Sequence, residues 1–257
     1  MLTLKNLLKS KYSAYTLPTL TAALLVIIWE LAVRLFSIPQ FVLPSPVAIA
    51  SEISSWGGVV LQHALTTLTT TMIGFLLALV AGVLLGFIIG YSRIAHLTLY
   101  PLLIGFNTIP KVALVPLMAI WFGIGAVPAV LTAFLLAFFP VAVNVAVGLA
   151  TVEPEMQDVL VSLGATRFEI FQKVGFPHTM PYLFASLKVA ISQAFIGSVI
   201  AETVASNGGI GYVILSASSN FQIPLAFLAL LALGVMGIAL YGFFAIVEKR
   251  TVHWIRQ

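Results

Sequence analysis

The chain has 257 residues, of which 61% are hydrophobic and only 8% are charged, and its mean hydropathy is +1.12. Soluble domains carry about 25% charged residues, so this composition excludes a soluble globule and points to an integral membrane protein. The net charge of +4 is spread along the chain and forms no nucleic-acid patch, and the absence of cysteine excludes disulfides, thiol nucleophiles and thiolate metal sites.

The N-terminal segment 1–16 carries Lys5, Lys9 and Lys11 ahead of a first apolar run from Leu17 to Phe36. That run has the length of a membrane span, and no A-x-A-like site follows it, so it is expected to be a retained first helix rather than a cleaved leader. A membrane helix needs roughly 20 mostly apolar residues. On that measure six spans are predicted, at about 17–36, 65–90, 99–122, 127–150, 181–204 and 224–247. Together they form an all-α polytopic bundle over 17–250, followed by a tail at 251–257. Glu30 and Arg34 stand at i, i+4 and are expected to pair at the end of the first span.

Residues 37–64 contain "LPSPVAIASEI". Ser45 can cap a short helix there with Pro46 at its first position, and that helix is expected to lie along the membrane surface. The second span carries Gly74, Ala78, Gly82, Gly86 and Gly90, each four residues apart. Such a stripe lets another helix come close, either within the chain or at a subunit interface. The third span is interrupted by Pro101, Pro110 and Pro116. Lys111 lies roughly 18 Å into it at 1.5 Å per residue, a depth at which a charge marks a functional candidate. Asn107, Asn144, Gln193 and Ser198 are polar groups within spans. Each is a candidate for the translocation path, or else a partner in a bond between helices. Glu202 falls roughly 31 Å along the fifth span. It is expected to be an interfacial carboxylate, with an outer gate or a contact with an external partner protein as the alternative.

Between the fourth and fifth spans lies a charged, helix-forming loop, 151–180, "TVEPEMQDVLVSLGATRFEIFQKVGFPHTM". Met156, Val159, Leu160 and Leu163 share one helical face. Glu153 and Glu155 occupy the first turn, where the helix dipole favours negative charge. Gly164 breaks this helix. A second short one begins at the capping box Thr166–Glu169, with Phe168 and Phe171 on its apolar side. Gly175, Pro177 and Pro181 are expected to end it. Two short amphipathic helices on a glycine form a knob suited to a groove on another protein. With six spans and a cytoplasmic N-terminus, Lys5, Lys9, Lys11, Arg93, Arg167, Lys173, Lys188, Lys249, Arg250 and Arg256 fall on or near the cytoplasmic side. Only Arg34 falls outside, and the knob is then cytoplasmic. The stretch "NGGIGY", 207–212, follows a membrane helix rather than a strand, so it is read as a turn that re-enters the membrane or touches a partner, not as a phosphate cradle. His63, His96, His178 and His253 show no metal-ligand spacing.

The 151–180 loop resembles the EAA motif of permease subunits of bacterial ABC importers: E-A-A, three residues, G, nine residues, I-x-L-P. Gly164 anchors the match, Val174-Gly175-Phe176-Pro177 stands at its end, and Asp158-Val159-Leu160 stands at its start with the acid kept and larger residues for the alanines. "LPSP", "IPKVALVPLMAIWFGIG", "GATRFEIFQKV" and "AETVASNGGIGY" are similar to the subfamily that moves nitrate, sulfonates, taurine and thiamine-precursor-like compounds. The resemblance covers about residues 25–250. It implies a multi-pass permease of a bacterial cytoplasmic (inner) membrane, with both termini cytoplasmic, working as a homodimer. It implies that residues 153–177, through Asp158, Val159, Leu160, Gly164, Ala165, Phe168 and Pro177, couple to an ABC ATPase dimer that binds ATP and Mg, and that an external or periplasmic binding protein delivers the solute. This chain itself has no G-x-x-x-x-G-K-[ST], so ATP hydrolysis is expected in the partner, and no cofactor, metal or catalytic residue is expected here. The weighed alternatives are an ion-coupled secondary transporter, which would need internal repeats and an intramembrane acid, and a membrane enzyme, which would need convergent catalytic groups.

Overall fold

The computed structural model describes residues 13–251. Lys5, Lys9, Lys11, His253 and Arg256, with most of the expected terminal segments, lie outside the described residues. Among those described, every regular element is helical. Among the described residues, five helices are long and apolar enough to cross a membrane, and a sixth span is counted if the bent pair Arg93–Thr108 and Lys111–Phe122 is taken as one. The chain divides into two compact units. The smaller runs up to Val59 and includes Ile214–Leu230; the larger holds Val60–Val213 and the chain from Leu231 onward.

The smaller unit contains α1 (Ser13–Leu35) and the start of α2 (Pro46–Tyr91). Trp29 of α1 packs on Phe227, ring centroids 6.1 Å apart. Glu30 and Arg34 form the expected i, i+4 pair. The other Glu30 oxygen accepts the Val47 N–H at 3.2 Å, and Ser45 Oγ accepts the Ala48 N–H at 3.2 Å. The orphan donors of the first turn of α2 are thereby taken, and Pro46, lacking an N–H, needs no partner. The expected surface helix is not a separate element. α2 continues without a break for 46 residues, about 69 Å at 1.5 Å per residue. Gly57 and Gly58 are the weak points in the segment, and each costs only about 1 kcal/mol relative to alanine, too little to stop a helix with favourable residues on both sides.

The larger unit is organised around α5 (Ala126–Ala150). The glycine stripe of α2 lies directly against it. A Cβ placed on Gly74 would sit 2.6 Å from the Ala133 Cβ, and one on Gly86 would sit 2.6 Å from the Val145 Cβ. The stripe is thus internal packing. On another side of α5, a Cβ on Gly197 of α8 (Phe176–Ala205) would meet the Thr132 carbonyl oxygen at 3.0 Å. Ala133, Ala137, Val141 and Val145 are fully buried between these helices. Lipid supplies no hydrophobic drive for helix association, so close van der Waals contact at small residues holds the bundle together. α10 (Ile223–Thr251) adds Phe244, whose ring meets Phe75 edge-on at 5.0 Å.

The third span is broken, at one proline rather than three. α3 (Arg93–Thr108) is capped by Ser92 and carries Pro101 inside it. The chain breaks at Ile109–Pro110, makes a 3₁₀ turn over Lys111–Leu114, and resumes as α4 (Val115–Phe122) with Pro116 in its first turn. The two arms meet at 74°. Pro110 cannot donate to the ladder of α3 and holds the preceding residue out of the helical region, whereas Pro116 sits where no donor is required.

Candidate functional site

The knob is built from α6 (Pro154–Ser162) and α7 (Arg167–Ile170). Between them the Ala165 N–H reaches the Leu160 carbonyl at 3.0 Å and the Gly164 N–H reaches that of Val161 at 2.9 Å. This is the Schellman arrangement, with glycine in the left-handed conformation at φ +80°. Nothing lies within 4 Å of where a Gly164 Cβ would stand, so the position requires glycine for its backbone and not for space. The capping box is formed: the Thr166 N–H donates to Glu169 Oε2 at 2.8 Å, and the Glu169 N–H donates back to Thr166 Oγ1 at 3.3 Å.

Helix α7 does not stop where Gly175, Pro177 and Pro181 led us to expect. It passes through a π turn, Phe171–Gly175, into α8. The Phe176 N–H bonds the Phe171 carbonyl, one residue further back than in an α-helix. The missing donor of Pro177 falls just past this displaced ladder, in the first turn of α8. Pro177 therefore starts the fifth span rather than ending the knob. The second knob helix and that span form one continuous helical run.

Both knob helices present uncovered apolar side chains. Leu163 is 78% exposed and Phe168 70%, and Val159 and Met156 are exposed on the same knob. Leu160 and Ala165 are half-buried. Asp158 instead lines a groove of about 350 Å³, shared with Val161 and Phe171 of the knob and Tyr91, Leu149 and Val152 of the spans. Of the candidate coupling residues, Val159 and Phe168 are exposed, Leu160, Ala165 and Pro177 are half-buried, and Asp158 lines the groove.

The translocation candidates do not gather in one place. Lys111 is 7% exposed, and its Nζ donates to Asn107 Oδ1 at 2.6 Å and to the Asn107 carbonyl at 3.2 Å. These two residues bridge the break at Pro110. Asn144 Nδ2 donates to the Pro140 carbonyl at 2.8 Å, within α5. Gln193 lines a separate groove of about 430 Å³ beside Lys188, Ser192 and Tyr241, where Lys188 pairs with Glu248 at 2.7 Å. Ser198 and Glu202 do meet. Glu202 is 1% exposed, buried by the chain's own helices near the end of α8. Its Oε2 accepts from the Thr67 hydroxyl at 2.8 Å and the Gly211 N–H at 3.2 Å, and its Oε1 accepts from the Thr70 hydroxyl at 3.2 Å. The Ser198 and Thr70 hydroxyls are 2.6 Å apart. The 205–223 connection is correspondingly ordered, and α9 (Ile210–Ser219) occupies half of it. Sequence reasoning missed Thr67, Thr70 and His63. The available signal was "HALTTLTTTM", five threonines within six positions of an otherwise aliphatic helix.

Residues 78–253 match the family described as binding-protein-dependent transport system inner membrane components. The chain belongs to that family. The permease is 33% identical over 254 residues to the riboflavin transport system permease protein RibX of Chloroflexus aurantiacus, covering 97% of this chain and 94% of that protein. It is 32% identical over 246 residues to the formylaminopyrimidine transport permease protein ThiX of Halalkalibacterium halodurans, covering 95% and 97%. Its fold matches a chain of the MetNI methionine ABC transporter in an inward-facing form, with a TM-score of 0.66 at 18% identity, over 79% of this chain and 99% of that one. These matches bear out the ABC importer resemblance and the polytopic helical fold, and they set aside the secondary-transporter alternative.

Proposed function

We infer that this permease works in a bacterial cytoplasmic membrane as one of two identical copies, with both termini cytoplasmic. A cytoplasmic ATPase dimer, which binds the ATP and Mg, receives the knob, and an external binding protein delivers the solute. The observation that carries this reading is the pairing of an uncovered apolar knob surface, Met156, Val159, Leu163 and Phe168, with a rigid continuation into the fifth span. Exposed leucine and phenylalanine on the knob mark a protein contact, and the family to which the chain belongs is described as binding-protein-dependent.

Within the expected set of sulfonate, nitrate, taurine or vitamin-precursor-like solutes, the solute proposed for the first trial is the last, a planar heterocycle of the pyrimidine or flavin type; relatives named for aliphatic sulfonates and for nitrate also match the chain. Two full-length relatives are named for such compounds. The ammonium of Lys111, the candidate for attracting an anion, is turned onto Asn107. Asn107, Lys111, Asn144, Gln193, Ser198 and Glu202 stand as path candidates on the terms given above. The test is uptake by the permease reconstituted with the ATPase and binding protein encoded beside it, with a formylaminopyrimidine, riboflavin, taurine and nitrate offered in turn. ATP-dependent uptake of a heterocycle supports the assignment. Uptake of taurine or nitrate alone overturns the substrate class and leaves the permease role standing.

A further inference from the structure

Glu202 is a carboxylate buried in a membrane helix with no basic side chain paired to it among the described residues. Burying such a group is costly unless it is fully hydrogen-bonded. Here three donors from two segments converge on it: Thr67 and Thr70 of α2, three residues apart, and the Gly211 N–H in the first turn of α9. With the Thr70 proton directed to Glu202, Ser198 supplies the one shared with Thr70.

The segment 206–212, a turn that runs into the first turn of α9, is fitted to this carboxylate. Three consecutive backbone N–H groups are each taken by a side chain. Gly209 donates to His63 Nδ1 at 3.0 Å, Ile210 to Thr67 Oγ1 at 2.8 Å, and Gly211 to Glu202. Gly209 has φ +93°, and a Cβ there would fall on the Glu202 carboxylate. A Cβ on Gly211 would lie 2.8 Å from the Glu202 Cβ. Gly209 and Gly211 of "NGGIGY" are therefore explained by close approach to an acid, not by flexibility. Glu202 also stands at the opposite end of the knob-bearing helical run, about 50 Å from Arg167 at 1.5 Å per residue. One turn beyond it, the Gly125 N–H that closes the broken span bonds the Ala205 carbonyl at 2.9 Å.

We propose that Glu202 is a positioning residue for transport: its carboxylate fastens the 206–212 turn and the threonine stretch of α2 to the far end of α8, so that the turn moves with the knob. This rests on the permease role inferred above. The chain has no cysteine, so Val213→Cys, buried just past the turn, gives one thiol reporter per permease copy. The complex with ATPase and binding protein is reconstituted in nanodiscs, and labelling by a membrane-impermeant maleimide is followed with and without ATP. In Glu202→Ala, labelling is expected to rise about tenfold or more as the turn loses its charged acceptor. The ratio of binding-protein-stimulated to unstimulated ATP hydrolysis is expected to fall about fivefold or more.

Glu202→Gln distinguishes the clasp from mere bulk. Its amide oxygen can still accept from Thr67 and Gly211 while its nitrogen donates to the Thr70 hydroxyl, so it is expected to recover most of both readouts. Equal impairment of Ala and Gln, a protected thiol in the alanine variant, or stimulation lost while the turn stays protected would each overturn the proposal. If Glu202→Ala fails to assemble, Thr67→Val removes one donor with little change of shape and carries the same expectation. Absence of ATP-dependent uptake in the unmutated complex would instead count against the permease role.

Discussion

Replacing Gly86 by alanine tests the packing of α2 on α5. The new Cβ would stand 2.6 Å from the Val145 Cβ and 2.7 Å from the Ala142 carbonyl oxygen, about 0.8 Å inside ordinary contact, which begins at 3.4 Å. One obstacle is backbone, so no rotamer change relieves it and the helices must separate. Overpacking of this kind costs about 1–3 kcal/mol, and the immovable carbonyl places Gly86 at the upper end. The gain in helix propensity offsets about 1 kcal/mol, leaving about 2 kcal/mol of destabilisation. For a protein of this size that lowers Tm by about 4–8 °C. Gly242→Ala in α10 is the control. Nothing lies within 4 Å of its Cβ position, so only the propensity term remains and Tm should rise by about 2–4 °C. Thermal unfolding of both variants in the same detergent gives the comparison. Shifts of the same sign would refute the claim that the glycine stripe is an internal contact.

Other expectations follow from the knob and the broken span. Gly164→Ala puts an L side chain at φ +80° with open space around it; the conformational cost of about 1–2 kcal/mol should reduce ATP-coupled uptake, Gly164→Asn should be milder because asparagine tolerates that region, and identical uptake by all three would refute the pivot. Leu163→Asp or Phe168→Asp should weaken ATPase co-purification by about tenfold or more, since each loses the burial of a large apolar side chain; an intact complex would place the docking surface elsewhere. Lys111→Met removes both bonds to Asn107 across the Pro110 break. Uptake should fall about tenfold or more with assembly retained, and normal uptake would remove Lys111 from the transport path.

What the sequence disclosed and what it hid divide by the range of the interaction. The Gly164 turn and the Thr166–Glu169 box were readable because caps are satisfied within a few residues. The spans were readable because bilayer thickness sets a run length. The continuity of α2 was not, since 46–64 is too polar to register as a span and no local signal distinguishes a surface helix from the start of a long one. Gly175, Pro177 and Pro181 read as a stop because a π turn leaves no mark on composition. The environment of Glu202 was out of reach for a different reason: its threonine partners lie 135 and 132 residues away, and only the fold brings them to it. The same holds for the glycine stripe, whose spacing announced a close approach without naming α5 as the neighbour.

The most direct test of the central claim is ATP hydrolysis and solute uptake by this permease co-expressed with the ATPase and binding protein encoded beside it. The account predicts no hydrolysis by the purified chain alone, hydrolysis by the complex that rises when the loaded binding protein is added, and uptake that stops without ATP. Uptake that persists without ATP and follows a proton or sodium gradient, with no ATPase bound to the knob, would contradict it.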